Sequence, residues 1–424
     1  MTESRINSFE QGKRCRICTG CGRCPGVRKT DVVRSFFQTE QSETEGSLPA
    51  SAGEASFVSE KRREGKGNYL AVADIGTTTI AMQLRNLWDG TVSDSYTCLN
   101  PQRVYGADVL SRIQAAEAPL VKAKLKAAVR EALRAGLEQF TERLKKMGET
   151  ERGICGLVIA ANTTMVHLLL GYDTDGLGRA PFTPVTLSEI RTELFDIDTL
   201  ILPGVSAFVG GDIVAGIHAL SMHKRQEITL LLDLGTNGEM VLGNRDGLLA
   251  TAAAAGPAFE GGTDNHGADL MALTARLLRE EILDTTGLLQ EPYFTEGITI
   301  GGVRLTQQYI RQLQLAKSAI CTGIRILCRK YGIKDLSDID RVWLAGGMGY
   351  YLDPAAAVEI GLLPGELGER TAAVGNAALE GAFSYALDPA GCPQIADFNL
   401  AKEEDFSDGY IAGMNLEKTD FTDV

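Results

Sequence analysis

The sequence predicts an α/β protein made of two related halves, and two observations carry that prediction. The tract Asp74-Ile75-Gly76-Thr77-Thr78-Thr79 follows the apolar run Tyr69-Leu70-Ala71-Val72-Ala73, and Asp233-Leu234-Gly235-Thr236-Asn237-Gly238 follows Ile228-Thr229-Leu230-Leu231-Leu232. Past each turn the chain extends, reverses at an Asp-Gly pair (Asp89-Gly90 and Asp246-Gly247) and returns as another apolar strand. That is the pattern of a β-hairpin, so the same unit opens each half.

The residue types in these turns suit phosphate. Gly76 and Gly235 let backbone N–H groups wrap an anion, and Thr77, Thr78, Thr236 and Asn237 add side-chain donors. An aspartate at the strand end would repel phosphate by itself. Asp74 and Asp233 make sense with a Mg²⁺ between them and the phosphates, as a hard cation takes carboxylate, phosphate and water together. A third element is the strand-like run Arg341-Val342-Trp343-Leu344-Ala345, which ends in Gly346-Gly347-Met348-Gly349. Gly346, Gly347 and Gly349 would let the backbone lie flat against an adenine or ribose, although the same residues also suit a plain strand-to-helix turn.

Together these elements resemble the superfamily of acetate and sugar kinases, heat-shock chaperone ATPases and actin. In that superfamily two ribonuclease-H-like half-domains close on ATP. The resemblance runs from about residue 68 to 390 and implies Mg-ATP as ligand, with 74–79 and 233–238 as the phosphate loops and 346–349 as the adenosine motif. Gly210-Gly211-Asp212-Ile213-Val214-Ala215-Gly216 and Gly375-Asn376-Ala377-Ala378-Leu379-Glu380-Gly381 resemble the helices connecting the halves. Asp212 is the third candidate catalytic acid, either positioning the attacking water or serving the helix N-terminus.

Finer motifs narrow the family. Asn100-Pro101-Gln102 with Gly106-Ala107-Asp108-Val109, Asn162-Thr163-Thr164-Met165, Leu202-Pro203-Gly204-Val205 and Ala255-Gly256-Pro257-Ala258-Phe259-Glu260-Gly261 resemble the ATPase domain of the reductive activators of corrinoid proteins. That resemblance implies a homodimer. It also implies ATP-coupled delivery of a low-potential electron, from the protein's own iron–sulfur cluster to the cobalt of a methyltransferase's corrinoid protein. An electron donor of low potential is implied but not specified.

Cys15, Cys18, Cys21 and Cys24 are evenly spaced, with Pro25 after the last. Thiolates at this spacing converge on one inorganic centre, and the run is ferredoxin-like with a last gap one residue short. An iron–sulfur cluster, [4Fe–4S], is the favoured reading. Zinc or a disulfide pair competes, although Cys₄ zinc sites commonly separate two Cys pairs by a longer loop. Members of the family more often carry a larger plant-ferredoxin-like [2Fe–2S] domain, so the short run is a departure. Residues 1–30 hold seven Lys/Arg against two Asp/Glu in a chain of net charge −13. Positive charge there would favour a reduced cluster and an acidic partner, or merely solvate the segment.

The expected organisation is a Cys-rich segment at 1–37, a flexible linker at 38–67, half-domains at 68–225 and 226–390, and an acidic tail at 391–424 packed on the body. The linker assignment rests on Ser, Glu, Gly and Lys with few large apolar residues, too few to offset ordering entropy. Long helical patterns cover Leu120 to Met147 and Leu305 to Tyr331. Lys317 on the second is read as touching nucleotide or, more simply, as solvated. Cys321, Cys328 and His167 are read as packed core residues.

Acidic balance argues against nucleic acid, and no apolar run reaches the ~18 residues of a membrane span. Free cysteines suit a cytoplasmic location. Two other readings stay open: an activator of a non-corrinoid enzyme, and a zinc-bearing ATP-binding regulator without redox activity. A small-molecule kinase would leave the cysteine run without a use.

Overall fold

The structure, a computed structural model, describes residues 56–65, 67–149, 153–256, 270–346, 353–389 and 395–419. Two six-stranded sheets organise it, both within the compact unit Gly53–Val424. The first contains β1 (Gly67–Ile75), β2 (Thr79–Asn86), β3 (Val92–Leu99), β4 (Gly153–Ala161), β5 (Ile190–Leu194) and β6 (Ile197–Ile201), ordered β3-β2-β1-β4-β6-β5. The second contains β7 (Thr229–Leu234), β8 (Gly238–Asn244) and β9 (Gly247–Ala253), and after the small hairpin β10 (Ile298–Ile300)–β11 (Val303–Leu305), also β12 (Arg341–Ala345), β13 (Thr371–Gly375) and β14 (Ile395–Asp397). Its order is β13-β12-β7-β8-β9-β14.

The duplication seen in the sequence extends one strand further. β1 pairs antiparallel with β2 and parallel with β4, and β7 pairs antiparallel with β8 and parallel with β12. Asp74 lies opposite Ala160 in one sheet and Asp233 opposite Ala345 in the other. Each aspartate thus ends a central strand buried on both faces. In β1, Leu70 and Val72 join one core while Tyr69, Ala71, Ala73 and Ile75 join another, the alternation a strand imposes.

Nine helices are used below: α1 (Phe57–Glu64), α2 (Val109–Ala116), α3 (Pro119–Lys146), α4 (Thr163–Leu170), α5 (Gly211–Ala219), α6 (Leu270–Arg279), α7 (Gln307–Tyr331), α8 (Ala377–Leu387) and α9 (Phe406–Ala412). The expected helices at 120–147 and 305–331 appear as α3 and α7. Leu125, Val129, Leu133, Leu137 and Phe140 of α3 cover the first sheet, and Ile310, Leu313, Ile320, Ile324 and Leu327 of α7 join the second core with α6. Cys321 and Cys328 are buried free thiols.

Two boundary expectations are corrected. The linker expected over 38–67 contains α1, whose N-cap Ser56 accepts from Ser59 N at 3.2 Å. Phe57 and Val58 are buried against Leu70 and Val158, and Lys61 reaches Asp198 at 2.5 Å. Composition averaged over thirty residues hid two apolar side chains that a waiting sheet could accept. Likewise α8, within the span 226–390, packs its Leu379, Ala382 and Phe383 into the core of the first half with Leu70, Val72 and Val158. A contiguous cut cannot represent a helix that crosses back.

Lys317 is not solvated. It is fully buried and donates to Gly413 O at 2.8 Å and Asn415 O at 2.5 Å, while Gln314 Nε2 donates to Met414 O at 2.7 Å. These bonds tie the last described segment to α7. Among the described residues no helix is long and apolar enough to cross a membrane.

A histidine pair marks the crossing of α5 and α8. The rings of His218 and His223 stack 4.2 Å apart, and Tyr385 of α8 stands edge-on to His218 at 4.9 Å. Burial, then His223 and Lys224, push His218 down to about 3; burial, then Lys224, push His223 down to about 4. Asp388 acts in the opposite sense on both. Because the folded values lie below the ordinary 6.5, the unfolded chain binds more protons, so stability rises with pH across this window. We expect full stability above pH 6.5 and a loss of about 1.4 kcal/mol per pH unit per histidine as pH falls toward 4. Calorimetry of wild type and His218→Phe between pH 8 and 4.5 checks this: the variant should show the shallower slope, and parallel curves would refute it.

Candidate functional site

Both expected phosphate loops are tight turns between paired strands. In the first, Gly76 N donates to Thr79 O at 2.9 Å, and a Cβ on Gly76 would lie 2.9 Å from the same oxygen. In the second, Gly235 N donates to Asn237 O at 3.0 Å. A Cβ on Gly238 would strike Ile320 of α7 at 1.9 Å, so glycine there lets the loop close on the helix. The loops face each other: Thr78 Oγ1 and Thr236 Oγ1 are 2.7 Å apart, 158 residues apart in sequence.

The acids gather behind these threonines. Asn376, the N-cap of α8, donates from Nδ2 to Asp74 Oδ2 at 2.7 Å, joining the start of α8 to the first loop. Loss of hydration raises Asp74 to about 7, against the Asn376 bond and assisted by the charge of Asp212. Loss of hydration also raises Asp212 to about 6, although Ile213 N donates to its Oδ1 at 2.9 Å. Glu239 is buried, and desolvation followed by the charges of Asp212 and Asp233 holds it well above the usual carboxylate range, with Asn237 bonding against that shift. Four carboxylates from two halves therefore interact electrostatically.

Gly346 backs onto the second loop. Its φ is +112°, and a Cβ there would stand 2.7 Å from Leu234 O and 3.0 Å from Asp233 Oδ1. Gly347 and Gly349 lie outside the described residues, as do Cys15, Cys18, Cys21 and Cys24. The structure thus brings together Asp74, Gly76, Thr77, Thr78, Asp212, Asp233, Gly235, Thr236, Asn237 and Gly346.

Three contributors escaped sequence reasoning. Glu239 follows the second loop by one residue, and alternation from Asp233 would have placed it across the hairpin. Asn376 was noted only as part of a helix motif. Arg112 is fully buried and donates to Thr77 O at 2.6 Å and Gly106 O at 2.9 Å, a contact that no local pattern announces. His167 packs as expected: Nδ1 bonds Thr163 O at 2.8 Å and Nε2 accepts from Val185 N at 3.0 Å.

Duplicated hairpins, opposed Gly-Thr loops and a shared carboxylate floor define a two-lobed protein of the actin, sugar kinase and chaperone ATPase type. Residues 69–225 match the family model described as the RACo middle region, and residues 227–275 and 293–424 match the C-terminal domain of RACo, the ASKHA domain. The corrinoid activation enzyme RamQ of Eubacterium limosum is 30% identical, over 78% of this chain and 66% of that protein. A solved structure described as a reductive activator for corrinoid, iron-sulfur protein superposes with a TM-score of 0.75 at 30% identity, over 84% of this chain and 67% of that one. The chain belongs to the family of reductive activators of corrinoid proteins, and it spans about two thirds of the length of these relatives.

Proposed function

We propose that this protein uses ATP to drive one low-potential electron onto the Co(II) corrinoid of a methyltransferase system, returning it to Co(I). The observation that carries the reading is the 2.7 Å approach of Thr78 and Thr236 from equivalent loops of opposite halves, in a chain of this family. A polyphosphate held by both loops would bind one relative position of the halves better than others, and only such differential affinity can shift a conformational equilibrium. An uphill transfer costs about 1.4 kcal/mol for each ~59 mV, which that difference would supply.

The donor set fits Mg-ATP. Burial holds Asp74, Asp212 and Glu239 above the usual carboxylate range, and the charges of Asp212 and Asp233 add to the shift of Glu239; a bound cation would relieve that cost. Among the described residues no group of three or more acids, histidines or cysteines is arranged to hold a metal directly. Mg²⁺ dehydrates reluctantly and reaches many protein groups through its waters. Asp74 and Asp233 would orient this water shell, Gly76, Thr77, Gly235 and Thr236 would hold phosphate oxygens, and Asp212 would hold the attacking water. Gly346, Gly347 and Gly349 would seat the adenosine.

Cys15, Cys18, Cys21 and Cys24 would hold a [4Fe–4S] cluster, the all-thiolate set such a cluster needs. The cluster would supply the electron, itself replenished by a separate low-potential donor. Anaerobically prepared protein should contain about four irons per chain and accelerate the appearance of Co(I) absorbance from a Co(II) corrinoid protein, with a chemical reductant present, only when Mg-ATP is added. Zinc in place of iron would remove the electron-transfer reading, and equal rates without ATP would remove the coupling.

A further inference from the structure

The motif Asn100-Pro101-Gln102 with Gly106-Ala107-Asp108 carried the family resemblance but had no role. In the structure it builds a bracket behind the first phosphate loop. Asn100, Gln102 and Arg112 are all fully buried. Asn100 N donates to Thr78 O at 2.8 Å, Asn100 Nδ2 donates to Gly76 O at 2.9 Å, and Arg112 Nη2 donates to Thr77 O at 2.6 Å. Three consecutive carbonyls of the loop are thus held by the bracket.

A trans peptide points its N–H opposite to its C=O. Drawing back the carbonyls of Gly76 and Thr77 therefore turns the N–H groups of Thr77 and Thr78 the other way. Among the described residues neither amide donates to the protein. Successive free amides on one side form a concavity for an anion.

Arg112 also brings charge. Its other contacts are neutral: Gly106 O at 2.9 Å, Gln102 Oε1 at 3.5 Å and Met165 Sδ at 3.4 Å. The carboxylate that acts on it, Asp108 of its own helix, already caps Ser111 N at 2.8 Å. Burial lowers Arg112 to about 10, which leaves it charged at neutral pH. A buried cation without a close carboxylate is costly unless an anion compensates, and the charged groups described at the two loops, Asp74, Asp212, Asp233 and Glu239, are acids. The bracket is local to the first half: Asp108 caps α2 with a capping box, and that start sets Arg112 one turn in, under the loop.

We propose that Arg112 is the phosphate-positioning residue of the first loop, aiming the Thr77 and Thr78 amides into the cleft and supplying the fixed positive charge that a nucleotide polyphosphate meets there. The inference rests on the ATP-binding reading and assigns a residue within it. Its signature is discrimination between phosphorylated and unphosphorylated ligands, which a purely structural residue would not alter.

Calorimetric titration of the full chain with Mg-ATP, Mg-ADP and adenosine tests this on wild type, Arg112→Gln and Arg112→Lys. Loss of a charge-assisted contact predicts that Arg112→Gln weakens Mg-ATP about tenfold or more and Mg-ADP less. Adenosine should stay within about twofold and Arg112→Lys within about threefold of wild type for every ligand. Equal weakening of adenosine and Mg-ATP in Arg112→Gln would overturn the proposal, as would unchanged Mg-ATP affinity. If Arg112→Gln does not fold, Arg112→Lys decides: a tenfold fall in its preference for Mg-ATP over adenosine overturns the charge role, and a kept preference supports it. Failure of wild type itself to bind Mg-ATP would defeat both this proposal and the ATP reading, whereas binding that ignores Arg112 defeats this one alone.

Discussion

Replacing Asp233 with alanine is expected to lower ATP-driven cobalt reduction and ATP hydrolysis by about a hundredfold or more, with iron content unchanged. Asp233 ends β7 in register with Glu239 on β8 and Ala345 on β12, so it stands where the second loop, the glycine turn and the carboxylate floor meet. A Cβ at Gly346 would stand 3.0 Å from its Oδ1, so glycine there leaves that carboxylate its place. A group so placed would orient the metal's water shell in the transition state without paying for reorganisation at that moment. Asp74 is the matching acid of the first half, but its Oδ2 is already bonded by Asn376. Asp74→Ala should therefore lower turnover and, by loosening the start of α8, lower stability as well. Steady-state ATPase assays and Co(I) absorbance read the first effect, thermal melting the second. Wild-type turnover in Asp233→Ala would remove the role assigned to it.

Gly381→Ala is expected to destabilise the fold by about 3 kcal/mol, a large cost for one methyl group. A Cβ at 381 would lie 1.6 Å from Ala215 O and 2.2 Å from Ala215 C. Both atoms are backbone of α5, so no rotamer change relieves the clash and the two helices must separate. On the other side of the crossing, Gly216 lies where a Cβ would stand 3.0 Å from Leu231 and 3.9 Å from the Ala377 Cβ. Small residues at 215, 216, 377 and 381 thus set how closely the helices joining the halves approach. Gly365→Ala is the control: nothing lies within 4 Å of a Cβ there, and the change should stay within about 0.5 kcal/mol. Equilibrium urea unfolding checks the pair, and equal midpoints for the two variants would refute the packing argument.

Most of this site could be read directly because its signal is local. A strand followed by Asp-x-Gly-Thr is a contiguous pattern, and its repetition at Asp74 and Asp233 marks duplicated hairpins before any contact is known. Helices α3 and α7 were legible for the same reason, since an amphipathic period is written along a single segment. Lys317 was not, because its partners Gly413 and Asn415 lie about a hundred residues further on and a lysine's default is solvent. The start of the body was misplaced because Phe57 and Val58 are too few to change the composition of a polar stretch, yet enough to dock a short helix on β1 and β4.

By itself the sequence determined the two-lobed α/β class, the paired Asp-x-Gly-Thr loops, the family motifs and the thiolate run at Cys15 to Cys24, all properties of residues close together along the chain. Only the tertiary structure decided that Thr78 meets Thr236, that Asn376 holds Asp74, that Glu239 joins the acids and that Arg112 stands behind Thr77. Those relations depend on burial and on how α5 and α8 cross. Closeness in space between residues tens to hundreds of positions apart leaves no pattern in either segment alone, and it is the desolvation of the folded state that gives such contacts their strength.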